Sequence, residues 1–173
     1  EAAMMCRNIP AGYYRKGFAF QRWHYFNNRL WNQIVTEARE NILHKRFPIS
    51  GYDNISANIK LSRQNSRRIL IHNYVKFKKA DFSDFHPNEP GIIIINPPYG
   101  ERLGENNELE NLYKLMGDVL KTYCQDSDAF ILSGNLELAK HIGLKPENKI
   151  PLKNGKIDCR LLHFPIRHGK YAE

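Results

Sequence analysis

The run Gly91–Ile95, which contains four consecutive isoleucines, constrains the fold of this chain more than any other segment. β-Branched side chains favour extended backbone, so the run predicts a strand. A strand that is apolar at every position suits a sheet covered on both faces, as in proteins whose parallel strands are joined by helices. We therefore expect an α/β protein in which this strand is buried on both faces.

Strand-like and helix-like segments alternate along the rest of the chain. Short alternating or β-branched runs predict further strands at residues 47–52, 74–80 and 129–132. Apolar residues at helical spacing predict helices at residues 27–44, 54–68, 108–123 and 136–141. Most of the aromatic side chains between residues 18 and 31 are expected to pack in the core. This order predicts one α/β domain over residues 1–173 with a mostly parallel sheet.

A β-hairpin is predicted at the end of the chain. The strand-like runs 149–152 and 157–164 flank Lys153-Asn154-Gly155-Lys156. Asn-Gly between two such runs is the strongest short signal for a tight hairpin turn. We expect this hairpin to form an antiparallel pair at the edge of the sheet.

The balance of charge bears on the partner. The 173 residues include 26 Lys and Arg against 18 Asp and Glu, a net charge of +8. Such an excess favours a polyanion, most often nucleic acid, although a solvated basic surface without a partner is the alternative. The candidate phosphate contacts are Arg15, Lys16, Arg22, Arg63, Arg67, Arg68, Lys76, Lys78 and Lys79.

Cysteine, histidine and apolar patterns exclude several classes of protein. Cys6, Cys124 and Cys159 are widely spaced and form no zinc-ligand pattern, and the seven histidines show no ligand spacing. We therefore expect no metal. No apolar run approaches the ~20 residues that span a bilayer, so we expect no membrane partner. The cysteine usage fits a reducing compartment, and we expect a cytoplasmic protein.

The sharpest candidate site is Asn96-Pro97-Pro98-Tyr99, which follows the isoleucine strand directly. Open α/β sheets place ligands at the carboxyl ends of their strands. Two prolines fix the backbone and remove two donors, so the loop offers carbonyl acceptors in a rigid arrangement. The Asn96 side-chain oxygen and the Pro97 carbonyl could each accept one hydrogen of an amino group on a planar base, which turns the nitrogen lone pair towards an electrophile. Tyr99 could stack on that base, or pack on a neighbour in a plain turn.

This tetrapeptide after an apolar strand resembles the catalytic motif of S-adenosylmethionine-dependent amino-methyltransferases. The motif alone leaves adenine N6, cytosine N4, a glutamine amide and guanine N2 open as targets. Five segments in succession narrow the choice: Glu1-Ala2-Ala3, Phe18-Ala19-Phe20-Gln21-Arg22-Trp23, Gly51-Tyr52-Asp53, Asn96-Pro97-Pro98-Tyr99-Gly100-Glu101-Arg102-Leu103 and Lys153-Asn154-Gly155-Lys156-Ile157-Asp158-Cys159. This succession is similar to the bacterial large-subunit (23S) ribosomal RNA guanine-N2 methyltransferases, whose catalytic domain follows an RNA-binding THUMP domain.

The resemblance implies a Rossmann-like, class I methyltransferase sheet and transfer of a methyl group from S-adenosylmethionine to guanine N2 in 23S ribosomal RNA. It implies that Asp53 accepts hydrogen bonds from the cofactor ribose and that Asn54 lies beside it. Asp81 would accept from the cofactor adenine, and Phe82 would line the adenine pocket.

The same resemblance implies that Asn96, Pro97, Pro98 and Tyr99 hold the target guanine, with Asn96 also at the cofactor. Without the resemblance, a helix N-cap for Asp53 and a loop turn for Asp81, with Asp84 as its competitor, are equally good interpretations.

Two features depart from the family pattern. The family's glycine-rich motif I and its strand lie just before the Glu1-Ala2-Ala3 segment, so we expect the first strand of the sheet to be missing from this chain. Asn54 and Ile55 stand where the family has an apolar residue and often a second acid. Two other functions stay open: an inactive, truncated RNA-binding module, and an amino-methyltransferase acting on DNA adenine or protein glutamine.

Overall fold

The order of helices and strands follows the predicted alternation. The structure is a computed structural model that describes residues 1–99 and 106–169. The chain divides into two compact units, residues 1–80 and residues 81–173. The second half of the extended loop motif, Gly100 to Leu103, lies outside the described residues.

The first unit is a parallel strand pair with its crossover helix, preceded by two further helices. Its elements are α1 (Ala2–Cys6), α2 (Asn28–Glu40), β1 (Ser50–Asp53), α3 (Ser56–Arg68) and β2 (Lys76–Lys79). In the strand pair, Ser50 lies opposite Lys76 and Asp53 opposite Lys79, so both strands end at the same edge. Ile59 of α3 is buried.

The aromatic residues ahead of α2 pack mainly against one another. The ring centroids of Phe18 and Phe20 lie 5.4 and 5.2 Å from that of Trp31. Trp23 and Tyr25 are 71% and 92% exposed, and α2 has no buried residue. Phe18, Phe20, Phe26 and Trp31 are half-buried and belong to neither hydrophobic core cluster. The prediction that most of these aromatics pack in the core is therefore wrong, because the contacts of this segment are local.

The second unit is a mixed four-stranded sheet with helices. Its elements are β3 (Ile92–Ile95), α4 (Asn106–Tyr123), β4 (Asp128–Ser133), α5 (Leu136–Ala139), β5 (Asn148–Asn154) and β6 (Ile157–Pro165). The strand order is β3-β4-β6-β5, with β3 and β4 parallel and the other two pairs antiparallel. The predicted parallel α/β pairing and the antiparallel hairpin are thus both confirmed.

The core of the second unit lies between α4 and the sheet. Tyr113, Met116 and Leu120 recur at spacings of three and four residues and are at most 1% exposed. They pack in one cluster with residues of β4 and β6, among them Ile131 and Phe164. Because α4 packs on β4 and β6, it holds in place the edge of the sheet at which β3 and β4 end.

The isoleucine strand differs from its prediction. Ile93 and Ile95 pack against the core, but Ile92 and Ile94 are 75% and 74% exposed. Successive side chains of a strand point to opposite faces, and only one face of β3 is covered by the described residues. The prediction that the isoleucine strand is buried on both faces is therefore wrong.

The hairpin turn lies one residue later than the Asn-Gly signal suggests. Asn154 still pairs with Ile157, so Gly155 and Lys156 form the loop. Gly155 has a φ of +61°, and Lys156 does not share this positive φ. Gly at the first loop position is the pattern of a type II′ turn, whose twist matches the two strands.

None of the helices in residues 1–99 and 106–169 is long and apolar enough to span a bilayer.

Candidate active site

The Asn96 loop lies at the carboxyl edge of the second sheet. Ile95 at the end of β3 pairs with Ile131 of β4, so the loop leaves the sheet beside the end of β4. Pro97 is buried, whereas Asn96 is exposed. Among the described residues, no hydrogen bond uses the Asn96 side chain or the Pro97 carbonyl. The two acceptors assigned to an amino group are therefore both unused.

The Pro98 carbonyl of the loop is hydrogen-bonded to a residue of the hydrophobic core. The hydroxyl of Tyr113, on α4, donates to the Pro98 carbonyl over 3.3 Å. Burial raises the pKa of Tyr113, outweighing the opposing effect of its hydrogen bond with Ser133. The hydroxyl therefore keeps its proton near neutral pH and ties the loop to α4.

Tyr99 is held at its hydroxyl and along one side of its ring. Its hydroxyl accepts a 2.7 Å hydrogen bond from Asn154 Nδ2 and a 3.7 Å contact from the Cys159 thiol. A Cβ atom on Gly134 would lie 2.8 Å from the Tyr99 ring, so only glycine lets the ring lie there. The ring packs on a neighbour, as the plain-turn alternative requires, and its role in stacking on a base stays a prediction.

Asp53 shapes the start of α3. Its Oδ1 accepts from the Ile55 backbone N–H over 2.7 Å, and its Oδ2 accepts from Asn58 Nδ2 over 3.0 Å. The N-cap of α3 is Ile55 rather than Asp53, so the N-cap interpretation is not what the backbone shows. Each carboxylate oxygen has a second lone pair, which leaves Asp53 able to accept from a hydroxyl. Asn54 is exposed beside it.

Asp81 forms the turn that sequence reasoning offered as its alternative. It is the N-cap of the 3₁₀ turn Phe82–Asp84, and its Oδ1 accepts from the Ser83 backbone N–H and hydroxyl, both over 3.0 Å. The backbone hydrogen bond is the main reason why the pKa of Asp81 is lowered. Both hydrogen bonds from Ser83 use Oδ1, which leaves the carboxylate lone pairs to accept from a ligand at Oδ2. Phe82 is half-buried and stacks on Phe85 with centroids 5.6 Å apart.

The predicted site residues fall in both units. Asp53 and Asn54 belong to the first, whereas Asp81, Phe82 and Asn96–Tyr99 belong to the second. Within the second unit the structure adds supports to which sequence reasoning assigned no role, namely Tyr113, Gly134, Asn154 and Cys159. The last two lie in the hairpin segment 153–159 that contributes to the family resemblance.

Some of these supports left a signal in the sequence. Tyr113 lies three residues before Met116 on the apolar face of α4, and a buried tyrosine hydroxyl needs a partner. Gly134 follows a strand directly, where glycine often marks a close approach of another group. In the part of the chain that the structure describes, no group of three His, Cys, Asp or Glu side chains is placed to hold a metal ion.

Three features of the second unit are those of an α/β methyltransferase domain. They are the α/β sheet, the loop Asn96–Tyr99 with its two prolines after β3, and the antiparallel hairpin of β5 and β6 that supports this loop. The sequence pattern of one family, described as the RMKL-like, methyltransferase domain, matches residues 1–163. The chain belongs to this family.

Relatives and solved structures agree with this assignment. The chain is 32% identical over 179 residues to the ribosomal RNA large subunit methyltransferase K/L of Syntrophotalea carbinolica, covering 99% of the chain and 25% of that protein. It is 35% identical over 175 residues to the protein of the same name from Methylococcus capsulatus, covering 99% of the chain and 24% of that protein. It also superposes on "SMU.472, a putative methyltransferase complexed with SAH", with a TM-score of 0.88, 30% identity, and coverage of 98% of this chain and 45% of that one. The chain thus spans about a quarter of the two curated relatives.

Proposed function

We propose that the protein transfers a methyl group from S-adenosylmethionine to the exocyclic N2 of a guanine in large-subunit ribosomal RNA. The observation that carries the proposal is the loop Asn96–Tyr99, with two unused acceptors beside a fixed aromatic ring. It is supported by the family and by relatives named as large-subunit ribosomal RNA methyltransferases.

The loop residues position the nucleophile. The Asn96 side-chain oxygen and the Pro97 carbonyl each accept one N–H of the guanine amino group, which directs the N2 lone pair out of the base plane. Tyr99 stacks on the base, because its ring is held by Asn154 and Gly134. The target base must be unpaired or flipped out, since an amino group within a helix is out of reach.

The cofactor supplies a methyl group that is already activated on a sulfonium sulfur. The residues suit this cofactor in their chemistry: Asp53 and Asp81 carry carboxylate oxygens able to accept from ribose hydroxyls and from an adenine amino group. As N2 attacks, the new N–C bond forms, the S–C bond breaks, and N2 releases a proton to water. Asn96 holds the attacking amino group in line and lowers the entropic cost of the step.

Base methylation of ribosomal RNA in a bacterium takes place in the cytoplasm, the compartment that the cysteine usage favours.

Two alternative targets, adenine N6 in DNA and a glutamine amide in protein, would present the same two N–H donors to the Asn96–Tyr99 loop. The charge distribution favours RNA or DNA over a protein substrate.

The test is methyl transfer from isotopically labelled S-adenosylmethionine to three substrates: deproteinised large-subunit ribosomal RNA, DNA, and ribosomal proteins. The proposal expects label in RNA, recovered as N2-methylguanosine after digestion to nucleosides. Label recovered as N6-methyladenine from DNA, or as methylglutamine from protein, would show that the target is that nitrogen and not guanine N2. Absence of transfer to all three, with RNA still bound, would support a non-catalytic RNA-binding module.

A further inference from the structure

Positive charge is concentrated in one segment of the first unit. Residues 54–80 carry seven of the 26 basic residues and none of the 18 acidic ones. The remainder of the chain is therefore almost neutral, with 19 basic and 18 acidic residues. The excess that favours a polyanionic partner arises from α3, β2 and their connection.

The fold gathers four of these cations around one open cavity. Lys60, Arg63, Arg67 and Lys79 line a cavity of about 380 Å³ along α3 and the end of β2. We call this cavity the α3 groove. Positions 60, 63 and 67 share one face of the helix, because they are separated by three and four residues. Lys79 reaches the same cavity from the last residue of β2.

The charges of the α3 groove have no carboxylate partner within residues 1–99 and 106–169. Arg63 donates one 2.8 Å hydrogen bond, to the Phe77 carbonyl, and this bond leaves its charge uncompensated. Like charges on one helix face repel each other, so the arrangement costs stability unless an anion is bound.

We propose that the α3 groove binds consecutive phosphates of the RNA substrate's backbone. The inference rests on the proposed function and adds to it a surface that positions RNA without reading its sequence. From Lys60 to Arg67 the helix rises by about 10 Å. At a rise of about 3.4 Å per nucleotide along one stacked strand, that length matches about three phosphates.

The test compares RNA binding by the full chain, by a groove variant and by a control variant. The groove variant combines Lys60→Gln, Arg67→Gln and Lys79→Gln. It keeps Arg63, because that side chain ties α3 to β2 through Phe77. The control variant, Lys114→Gln with Lys145→Gln and Lys149→Gln, removes the same charge from exposed lysines of the second unit.

The measurement is the dissociation constant for a single-stranded ribosomal RNA fragment between 0.05 and 1 M salt. Loss of about three phosphate contacts is expected to reduce the slope of log K against log salt by about 2. Affinity at 0.1 M salt should then fall by about 100-fold, with the difference vanishing near 1 M. The control variant should stay within a few-fold of the unchanged chain at all salt concentrations.

Two results would overturn the inference: an unchanged slope for the groove variant, or equal losses in the groove and control variants. Thermal unfolding of each variant verifies that it is folded. Lysine acetylation of the unchanged chain is an independent check, since RNA should protect Lys60 and Lys79 more than Lys145 and Lys149. Normal RNA binding through the α3 groove without formation of N2-methylguanosine would instead contradict the proposed function and leave this inference standing.

Discussion

The side-chain amide of Asn154 donates a 2.7 Å hydrogen bond to the hydroxyl of Tyr99, which precedes it by 55 positions. Tyr99 ends the loop that follows β3, and Asn154 is the last residue of β5. The two most specific motifs of the sequence, one in the loop and one in the hairpin, therefore meet at a single hydroxyl. The hairpin thus holds the ring on which we propose that the target base stacks.

The Asn154–Tyr99 hydrogen bond can be measured by a double-mutant cycle. Asn154→Ala and Tyr99→Phe remove opposite partners of one bond, so their effects on the free energy of unfolding should be less than additive, by about 1 kcal/mol. Denaturant unfolding of both single variants and the double variant gives this coupling energy. In the control cycle, Asn148→Ala replaces Asn154→Ala, because Asn148 lies on the same strand but approaches His163. Additive effects in the first cycle would show that the bond does not form in solution.

Replacement of the loop amide should separate catalysis from cofactor binding. Asn96→Ala removes one of the two acceptors assigned to the target amino group, and misplacement of the nucleophile is expected to lower kcat by about 100-fold or more. The dissociation constant for S-adenosylmethionine, measured by calorimetry, should change far less than kcat, because Asp53 and Asp81 are assigned the ribose and adenine contacts and Asn96 is only a further neighbour of the cofactor.

The matched control for this loop variant is Asn88→Ala, an exposed asparagine in the segment before β3. It is expected to keep the kcat of the unchanged protein. If Asn96→Ala also kept that kcat, the assignment of the catalytic loop would be wrong.

Local patterns were sufficient to predict most elements and the position of the loop. The spacing of apolar residues locates α3 and α4, and the isoleucine run locates β3 and hence Asn96 at its carboxyl end. These features depend on periodicity within one segment, which a single sequence displays.

Features that depend on tertiary packing were out of reach of the sequence. The exposure of Ile92 depends on which elements cover β3, and the Tyr99–Asn154 bond depends on how two distant segments meet. The turn at Gly155 was displaced by one residue, because strand pairing, not the Asn-Gly pair alone, decides which residues form the loop. The roles of Asp53 and Asp81 toward the cofactor stay predictions, since the structure shows their local turns.

Gly117 should tolerate no side chain, although it lies within a helix. A Cβ atom there would come within 1.8 Å of the Ile142 carbonyl oxygen, a backbone atom that cannot turn away. Alanine would gain about 1 kcal/mol of helix propensity, but the overpacking is expected to outweigh it and destabilise the protein by about 1–3 kcal/mol net. Thermal unfolding should show a Tm lowered by about 2–4 °C for each kcal/mol.

Gly91→Ala is the control for this stability prediction, because nothing lies within 4 Å of a Cβ atom at that position. Its Tm should match that of the unchanged protein within about 1–2 °C, since surface changes rarely exceed about 0.5 kcal/mol. An equal Tm for Gly117→Ala would mean that α4 and the turn at Ile142 are less closely packed than the structure shows.

The acid limb of stability should depend on Asp128. Its Oδ1 lies 2.8 Å from His163 Nε2 and accepts a 3.0 Å hydrogen bond from Arg167, and the hydrogen bond with His163 is the main reason why its pKa is lowered. A carboxyl group whose pKa is lower in the folded than in the unfolded state stabilises the protein above the unfolded value of about 3.9. That contribution is lost as the pH falls from about 3.9 through the lower, folded-state pKa. Asp128→Asn should therefore have a lower Tm than the unchanged protein at pH 7, and the two should converge below pH 4.

Asp126→Asn is the control, because Asp126 is exposed, has a φ of +59° that asparagine accepts, and forms no ion pair within the described residues. A difference for Asp128→Asn that stayed constant down to pH 2 would show that the folded-state pKa of Asp128 is not lowered.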